Sequence, residues 1–234
     1  MLKYFTFGCH TSDRIKQHKA FHDKKLSLII ARWLLKKKFE GHISIIQIFS
    51  NSEPFEFCKQ MNKYINKLYS ADSQNSLMGY EGADANLYFK ELSQLINDKW
   101  KFSGRNRRPP KDPVNSLLSL GYVLACSEIN SIIQKKGLDP ALGFLHAIQA
   151  GRDSFVIDIL EAIRPSIDFF VLQLLNKLTV NDFSNSQKDG CRLTKTGRKL
   201  FYSKWATWQQ SDEFMSIKSY TIEILDNIIS FFPQ

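Results

Sequence analysis

Apolar residues recur at helical intervals in segment after segment of this chain, and runs that alternate apolar with polar are few. That combination leaves a mainly α fold and little room for a sheet. Leu26, Ile29, Ile30, Trp33 and Leu34 follow i, i+3, i+4, i+7, i+8, with Lys24, Lys25, Arg32, Lys36, Lys37 and Lys38 mostly around the rest of the turn. The spacing predicts an amphipathic helix with a basic outer surface. Pro54 opens a second helical pattern through Phe55, Phe57, Met61, Tyr64, Ile65 and Leu68, which the Ser/Asp/Asn-rich stretch 70–76 breaks. A third helix is expected over about 77–100.

Segment 101–113 holds three prolines, one glycine and five basic residues, and reads as an ordered loop or extended strap. From Pro113 the helical series resumes through Leu117, Leu118, Val123, Leu124, Ile129, Ile132 and Ile133, and Gly137 ends it. After the turn Gly137-Leu138-Asp139-Pro140, segments 152–163 and 166–178 read as two helices parted by Pro165. A short turn at 190–192, a basic amphipathic helix over 194–209 and a last helix over 217–231 complete the pattern, with no internal repeat.

At 234 residues the chain can bury one good core, and 43% hydrophobic with 24% charged residues is the composition of a soluble globular protein. Lys and Arg exceed Asp and Glu by 32 to 23, a net charge of +9 that favours a polyanionic partner. Cys9, Cys58, Cys126 and Cys191 are scattered without a C-x-x-C pair, so reduced thiols are expected rather than a zinc finger or disulfide framework. The opening Met1-Leu2-Lys3-Tyr4-Phe5 lacks the charged lead and apolar stretch of a signal peptide, and no run of about 18 apolar residues occurs. A cytoplasmic protein with no membrane association is the expectation.

Asp158 and Glu161 stand at i and i+3, so both carboxylates share one helix face. Two hard oxygen ligands on a rigid helix suit Mg²⁺ or Mn²⁺, although a D-x-x-E pair read alone is first of all the pattern of a solvated face. His146, in the apolar setting Gly143-Phe144-Leu145-His146-Ala147, reads as a ligand or as a hydrogen-bonded core residue. Glu81 falls in the first turn of its helix, where it could also favour the positive helix end. The guanidinium groups of Arg105, Arg107 and Arg108, with Lys111, could hold phosphates, or the strap could be plain surface. His18 and His22, at i and i+4 without paired cysteines, are expected to face solvent.

Taken in order, these pieces resemble a known family. Gly79-Tyr80-Glu81-Gly82-Ala83 followed by Tyr88-Phe89, then Asn106-Arg107-Arg108-Pro109-Pro110-Lys111-Asp112-Pro113-Val114-Asn115 and Leu117-Leu118-Ser119-Leu120-Gly121-Tyr122, look like the signature of CRISPR-associated protein one, the spacer integrase. Gly137-Leu138-Asp139-Pro140 leads into Gly143-Phe144-Leu145-His146, and Gly151-Arg152-Asp153-Ser154 leads into Asp158-Ile159-Leu160-Glu161 and Arg164-Pro165. Four motifs in register are far more specific than one.

The resemblance implies one mainly helical catalytic domain of the CRISPR integrase type over 1–234, with N-terminal helices in 1–75 and a metal-site core in 76–234. The sequence is expected to enter the family pattern inside its helical part, without the β-rich N-terminal domain that helps pair protomers in the family. Family positions for the catalytic metal, Mg²⁺ or Mn²⁺, match Glu81, His146 and Glu161. Asp158 matches a further acidic position with a direct or supporting role. One ring nitrogen of His146 is then expected to face the ion while a hydrogen bond holds the other. The implied reaction is endonuclease and integrase chemistry. A prespacer 3′-hydroxyl attacks a backbone phosphate of the repeat array, and the same chemistry acts on branched DNA. Arg105, Arg107, Arg108, Lys111 and Arg152 are the implied phosphate contacts, and Tyr122 a stacking or positioning residue. The implied protein partners are CRISPR-associated protein two and a second copy of the chain. A truncated, non-catalytic DNA-binding remnant is the alternative.

Overall fold

The computed structural model describes residues 11–210 and 216–233. Eight helices and one hairpin follow in the order α1 (Thr11–His22), α2 (Lys24–Phe49), α3 (Phe55–Ser70), α4 (Gln74–Leu95), α5 (Pro113–Lys135), α6 (Ser154–Leu175), β1 (Phe183–Ser186), β2 (Gly190–Leu193), α7 (Lys195–Gln210) and α8 (Ile217–Phe231). Short side chains start them. Asp23 accepts from the N–H groups of Lys25 and Leu26, Ser73 from that of Ser76, and Asp112 from that of Asn115 just ahead of Pro113. The mainly α expectation holds, and α2, α3, α5, α7 and α8 lie where the periodicity puts them.

Helix α6 is the spine: α2 and α5 pack along it, α4 and α3 continue outward from α2, and α8 fills between α5 and α6. One hydrophobic core runs through all of these, so the helices of 1–75 and those of 76–234 are built on the same packing. The apolar length of α5 is used against α6 and α8.

Three expectations need correction. Segments 152–163 and 166–178 form a single helix, with Pro165 inside it. An internal proline costs about 3 kcal/mol, but α6 is apolar on most sides, and burying it against α2 and α5 outweighs that cost. The proline ring is received at Gly41 of α2, where a β-carbon would lie 2.6 and 2.7 Å from Pro165 Cγ and Cβ. Gly41→Ala is therefore expected to destabilise. The gain in helix preference of about 1 kcal/mol is smaller than the about 1–3 kcal/mol of overlap with a rigid ring, and a lower urea midpoint checks the sign. The third helix stops at Leu95, short of Trp100, because the Asn97 side chain accepts from Lys99 N–H and starts a separate 3-10 turn, Asp98–Trp100. The 190–192 turn is instead strand β2, paired antiparallel with β1.

That hairpin braces the strap. Cys191 N–H donates to Pro110 O at 2.7 Å, and a β-carbon on Gly190, whose φ is +70°, would meet that carbonyl at 2.3 Å. Cys58, Cys126 and Cys191 are free thiols. Cys9 and the opening residues Met1 to Phe5 lie outside the described residues.

Candidate functional site

The inner face of α2 carries Leu34, Leu35, Lys38, Phe39 and His42, all buried, whereas Ile29 is 45% exposed. Lys38 thus lies on the inner face rather than the basic outer one. Its ammonium donates to Glu81 Oε1 of α4 and, at 2.7 Å, to Glu161 Oε2 of α6. Arg164 Nε lies 2.9 Å from the same Glu161 oxygen. Two carboxylates from different helices therefore converge on one cation, here the chain's own ammonium. Burial pushes the Glu161 carboxyl up, but Lys38 and Arg164, with a smaller contribution from His146, outweigh it and hold the group well below the usual carboxylate range. Burial likewise lowers Lys38, and Glu161 and Glu81 more than restore it, so the ammonium stays charged.

One turn before Glu161, Asp158 is fully buried. Its Oδ2 accepts from the N–H groups of Phe144 at 2.5 Å and Leu145 at 2.8 Å, and its Oδ1 from that of His146 at 3.0 Å. His146 Nδ1 donates to the same Oδ1 at 2.7 Å. Every one of these bonds organises the 143–146 loop, which approaches so closely that a β-carbon on Gly143 would sit 2.8 Å from Asp158 Oδ2. Asp158 is the anchor of His146 and has no free oxygen for an ion. With Nδ1 protonated, the lone pair of His146 is on Nε2, which has no hydrogen-bond partner among the described residues. Upstream, Gln17 of α1 holds the preceding turn through Asp139 N–H at 2.8 Å and Asp139 O at 3.0 Å. Arg152 closes the far side of the loop on Ala147 O and Ser154 Oγ, which engages its guanidinium within the fold.

The strap is pinned by Asn115, whose Oδ1 accepts from Arg105 Nη1 at 2.8 Å and Asn106 N–H at 3.0 Å while its Nδ2 donates to Gly104 O at 2.8 Å. Arg105 also donates to Ser119 Oγ and packs over Tyr122, so it serves the strap itself. Arg107, Arg108 and Lys111 are exposed. An open cleft lined by Glu81, Asn86, Phe89, Lys90, Arg105 and Arg107 runs from the strap to Glu81.

Tyr122 does not offer its ring to a ligand. It is 6% exposed, its hydroxyl donates to Asp168 Oδ1 at 2.6 Å, and the guanidinium groups of Arg164 and Arg105 stand 4.5 and 5.4 Å from the ring centre. The stacking role expected of it is replaced by one of support. Burial holds its phenol well above the usual range, and Asp168 adds to the effect. Asp168 also accepts from Tyr88, which stacks on His42, itself paired with Asp84. His18 and His22 are exposed, as expected. Among the described residues no three His, Cys, Asp or Glu side chains already gather as an ion site.

Residues 7–207 match the family described as CRISPR associated protein Cas1. The CRISPR-associated endonuclease Cas1 1 of Thermodesulfovibrio yellowstonii is 37% identical over 210 residues, covering 84% of this chain and 65% of that protein. The chain belongs to the Cas1 family. It spans 57–65% of the length of that protein and two further curated Cas1 relatives. Its fold matches a casposase bound to integration product (TM-score 0.81, 24% identity, 94% of this chain and 64% of that one). A partial Cas6-RT-Cas1–Cas2 complex matches similarly (TM-score 0.83, 21% identity, 98% of this chain and 73% of that one). Within this Cas1 chain, sequence reasoning gave no site role to Lys38, His42, Asp84, Arg164 and Asp168. The signal for the first two was present: Leu34, Lys38 and His42 stand at i, i+4, i+8, which carries the apolar stripe straight through a lysine and a histidine.

Proposed function

We propose that this chain performs metal-dependent phosphoryl transfer on DNA, as an endonuclease and integrase that inserts spacer DNA into a CRISPR repeat array. The observation that carries the reading is the convergence of Glu81 and Glu161 on one buried cation, with His146 fixed by Asp158 one helical turn before Glu161. Two carboxylates and an imidazole suit Mg²⁺ or Mn²⁺, and the ammonium already seated between the glutamates marks a position where positive charge is stabilised. Glu81, Glu161 and His146 would hold the ion, which when bound polarises a phosphoryl oxygen and neutralises developing charge.

The chain's own residues do the rest. Asp158 fixes the ring of His146 with Nδ1 protonated, and Lys38 and Arg164 keep Glu161 ionised. Arg107, Arg108 and Lys111 hold DNA phosphates along the strap and cleft. The prespacer 3′-oxygen forms a new bond to the phosphorus of the repeat strand and gives its proton to solvent, while the bond to the leaving 3′-oxygen breaks and that oxygen takes a proton from solvent. Water in place of the 3′-hydroxyl gives cleavage, and the reverse reaction resolves branched DNA. Similarity of fold to a casposase bound to integration product and to a complex with Cas2 supports DNA and CRISPR-associated protein two as partners. Pairing with a second copy belongs to the same reading.

Strand transfer and cleavage on branched and duplex DNA, with Mn²⁺ or Mg²⁺ against a chelator control, test it. Products that require the metal are expected. Salt-sensitive DNA binding without product would favour a non-catalytic DNA-binding role, a reading that the net charge of +9 supports. In either case, replacing Arg107, Arg108 and Lys111 with alanine is expected to shallow the slope of log affinity against log salt by about 0.9 for each phosphate no longer neutralised.

A further inference from the structure

Lys38 is the least expected member of the site. Its side chain is 3% exposed, on a helix whose other lysines face outward, and both its anionic partners belong to the proposed metal site. A buried ammonium is costly without paired anions, and two carboxylates brought together are costly without a cation. Each half of the arrangement therefore stabilises the other. Arg164 cannot replace Lys38, because its ion pair is with Glu161 alone and leaves Glu81 unmatched.

An ion placed between Glu81 and Glu161 would occupy the position that Lys38 Nζ holds against Glu81 Oε1 and Glu161 Oε2, so the two cations compete for one place. The displaced ammonium then needs another anion within reach of its flexible stem. The open side of Glu81 faces the cleft that Arg105 and Arg107 also line, where a DNA phosphate has the required charge and acceptor oxygens.

We propose that Lys38 is the resident counter-cation of the Glu81–Glu161 pair, that an entering divalent ion displaces it, and that a DNA phosphate in the adjoining cleft takes up the displaced ammonium. The inference rests on the metal reading above and adds a coupling to it. Metal binding without DNA is opposed because it strands Lys38, and DNA relieves that opposition. By linkage, metal and DNA each strengthen the other's binding through this lysine.

Calorimetric titration of Mn²⁺ into the full chain, with and without a short branched DNA, tests the exchange in wild type, Lys38→Met and Lys38→Arg. Without DNA, Lys38→Met is expected to bind Mn²⁺ at least about tenfold more tightly than wild type and to gain less affinity when DNA is added. Its melting temperature in chelator should fall below wild type and recover with Mn²⁺, because the ion restores the missing positive charge. Lys38→Arg keeps the charge and grips a carboxylate with two N–H groups, so its Mn²⁺ affinity without DNA should fall below wild type. If Lys38→Met does not fold, the arginine variant carries the test. Equal Mn²⁺ affinities with equal gains from DNA would overturn the exchange and leave the metal reading standing. Absence of Mn²⁺ binding in every chain would overturn both.

Discussion

Asp158→Asn is expected to lower the unfolding free energy by at least about 3 kcal/mol in chelator, with no metal present. Both carboxylate oxygens accept hydrogen bonds, Oδ2 from the N–H groups of Phe144 and Leu145 and Oδ1 from the N–H and ring Nδ1 of His146. An amide has one oxygen, so in either orientation its NH₂ faces two donors. Two lost bonds to a charged group at about 1.5–3 kcal/mol each give the estimate. For a chain of this size that corresponds to a fall in melting temperature of about 6–12 °C. Asp158→Ala should cost at least as much, since it leaves the same buried N–H groups without an acceptor. Differential scanning calorimetry in chelator decides between this role and a ligand role. A side chain needed only to bind an ion could be changed to asparagine with unchanged metal-free stability.

His146→Ala should behave in the opposite way. The imidazole is partly exposed, and the backbone N–H of residue 146 keeps its bond to Asp158 whatever the side chain, so the fold is expected to survive. Strand transfer should fall at least about a thousandfold, equivalent to about 4 kcal/mol of barrier, because the variant removes Nε2, the nitrogen that would hold the ion. DNA affinity and its salt slope should match wild type, since the phosphate-holding residues of the strap are untouched. Full activity in His146→Ala would sink the assignment of that nitrogen. Loss of DNA affinity alongside activity would place His146 in substrate binding instead.

Glu161→Ala is a less clean probe. Removing that carboxylate leaves Lys38 and Arg164 buried with too little negative charge, which by itself costs about 3–5 kcal/mol. Its activity should be read only beside its melting curve.

Much of the helical framework is legible in the sequence, because long amphipathic patterns with a cap at one end and glycine or proline at the other are local signals. The start of α5 at Pro113 behind Asp112 and its end near Gly137 follow from the chain's own chemistry. Pro165 misleads for a physical reason. The rule that proline ends a helix weighs only the lost N–H bond and the local clash, whereas here Gly41, 124 positions earlier, makes room for the ring. The hairpin at 183–193 escapes the pattern because a two-stranded ribbon this short has no buried face long enough to alternate.

The candidate site divides along the same line. Sequence alone determined which residue types were available and in what order: Glu81 on one helix, the Asp158–Glu161 pair on another, His146 in the loop before it, and a basic proline-bearing strap. What each does was decided in three dimensions. Asp158 and Glu161 share a helix face, yet one is saturated by a loop and the other meets a lysine from α2. Tyr122, expected beside the reacting strand, and Lys38, expected on a basic outer surface, both lie in the interior. The reason is that burial and charge pairing are sums over groups from four helices. Spacing along one helix fixes which face a side chain takes, but only packing fixes what stands opposite it.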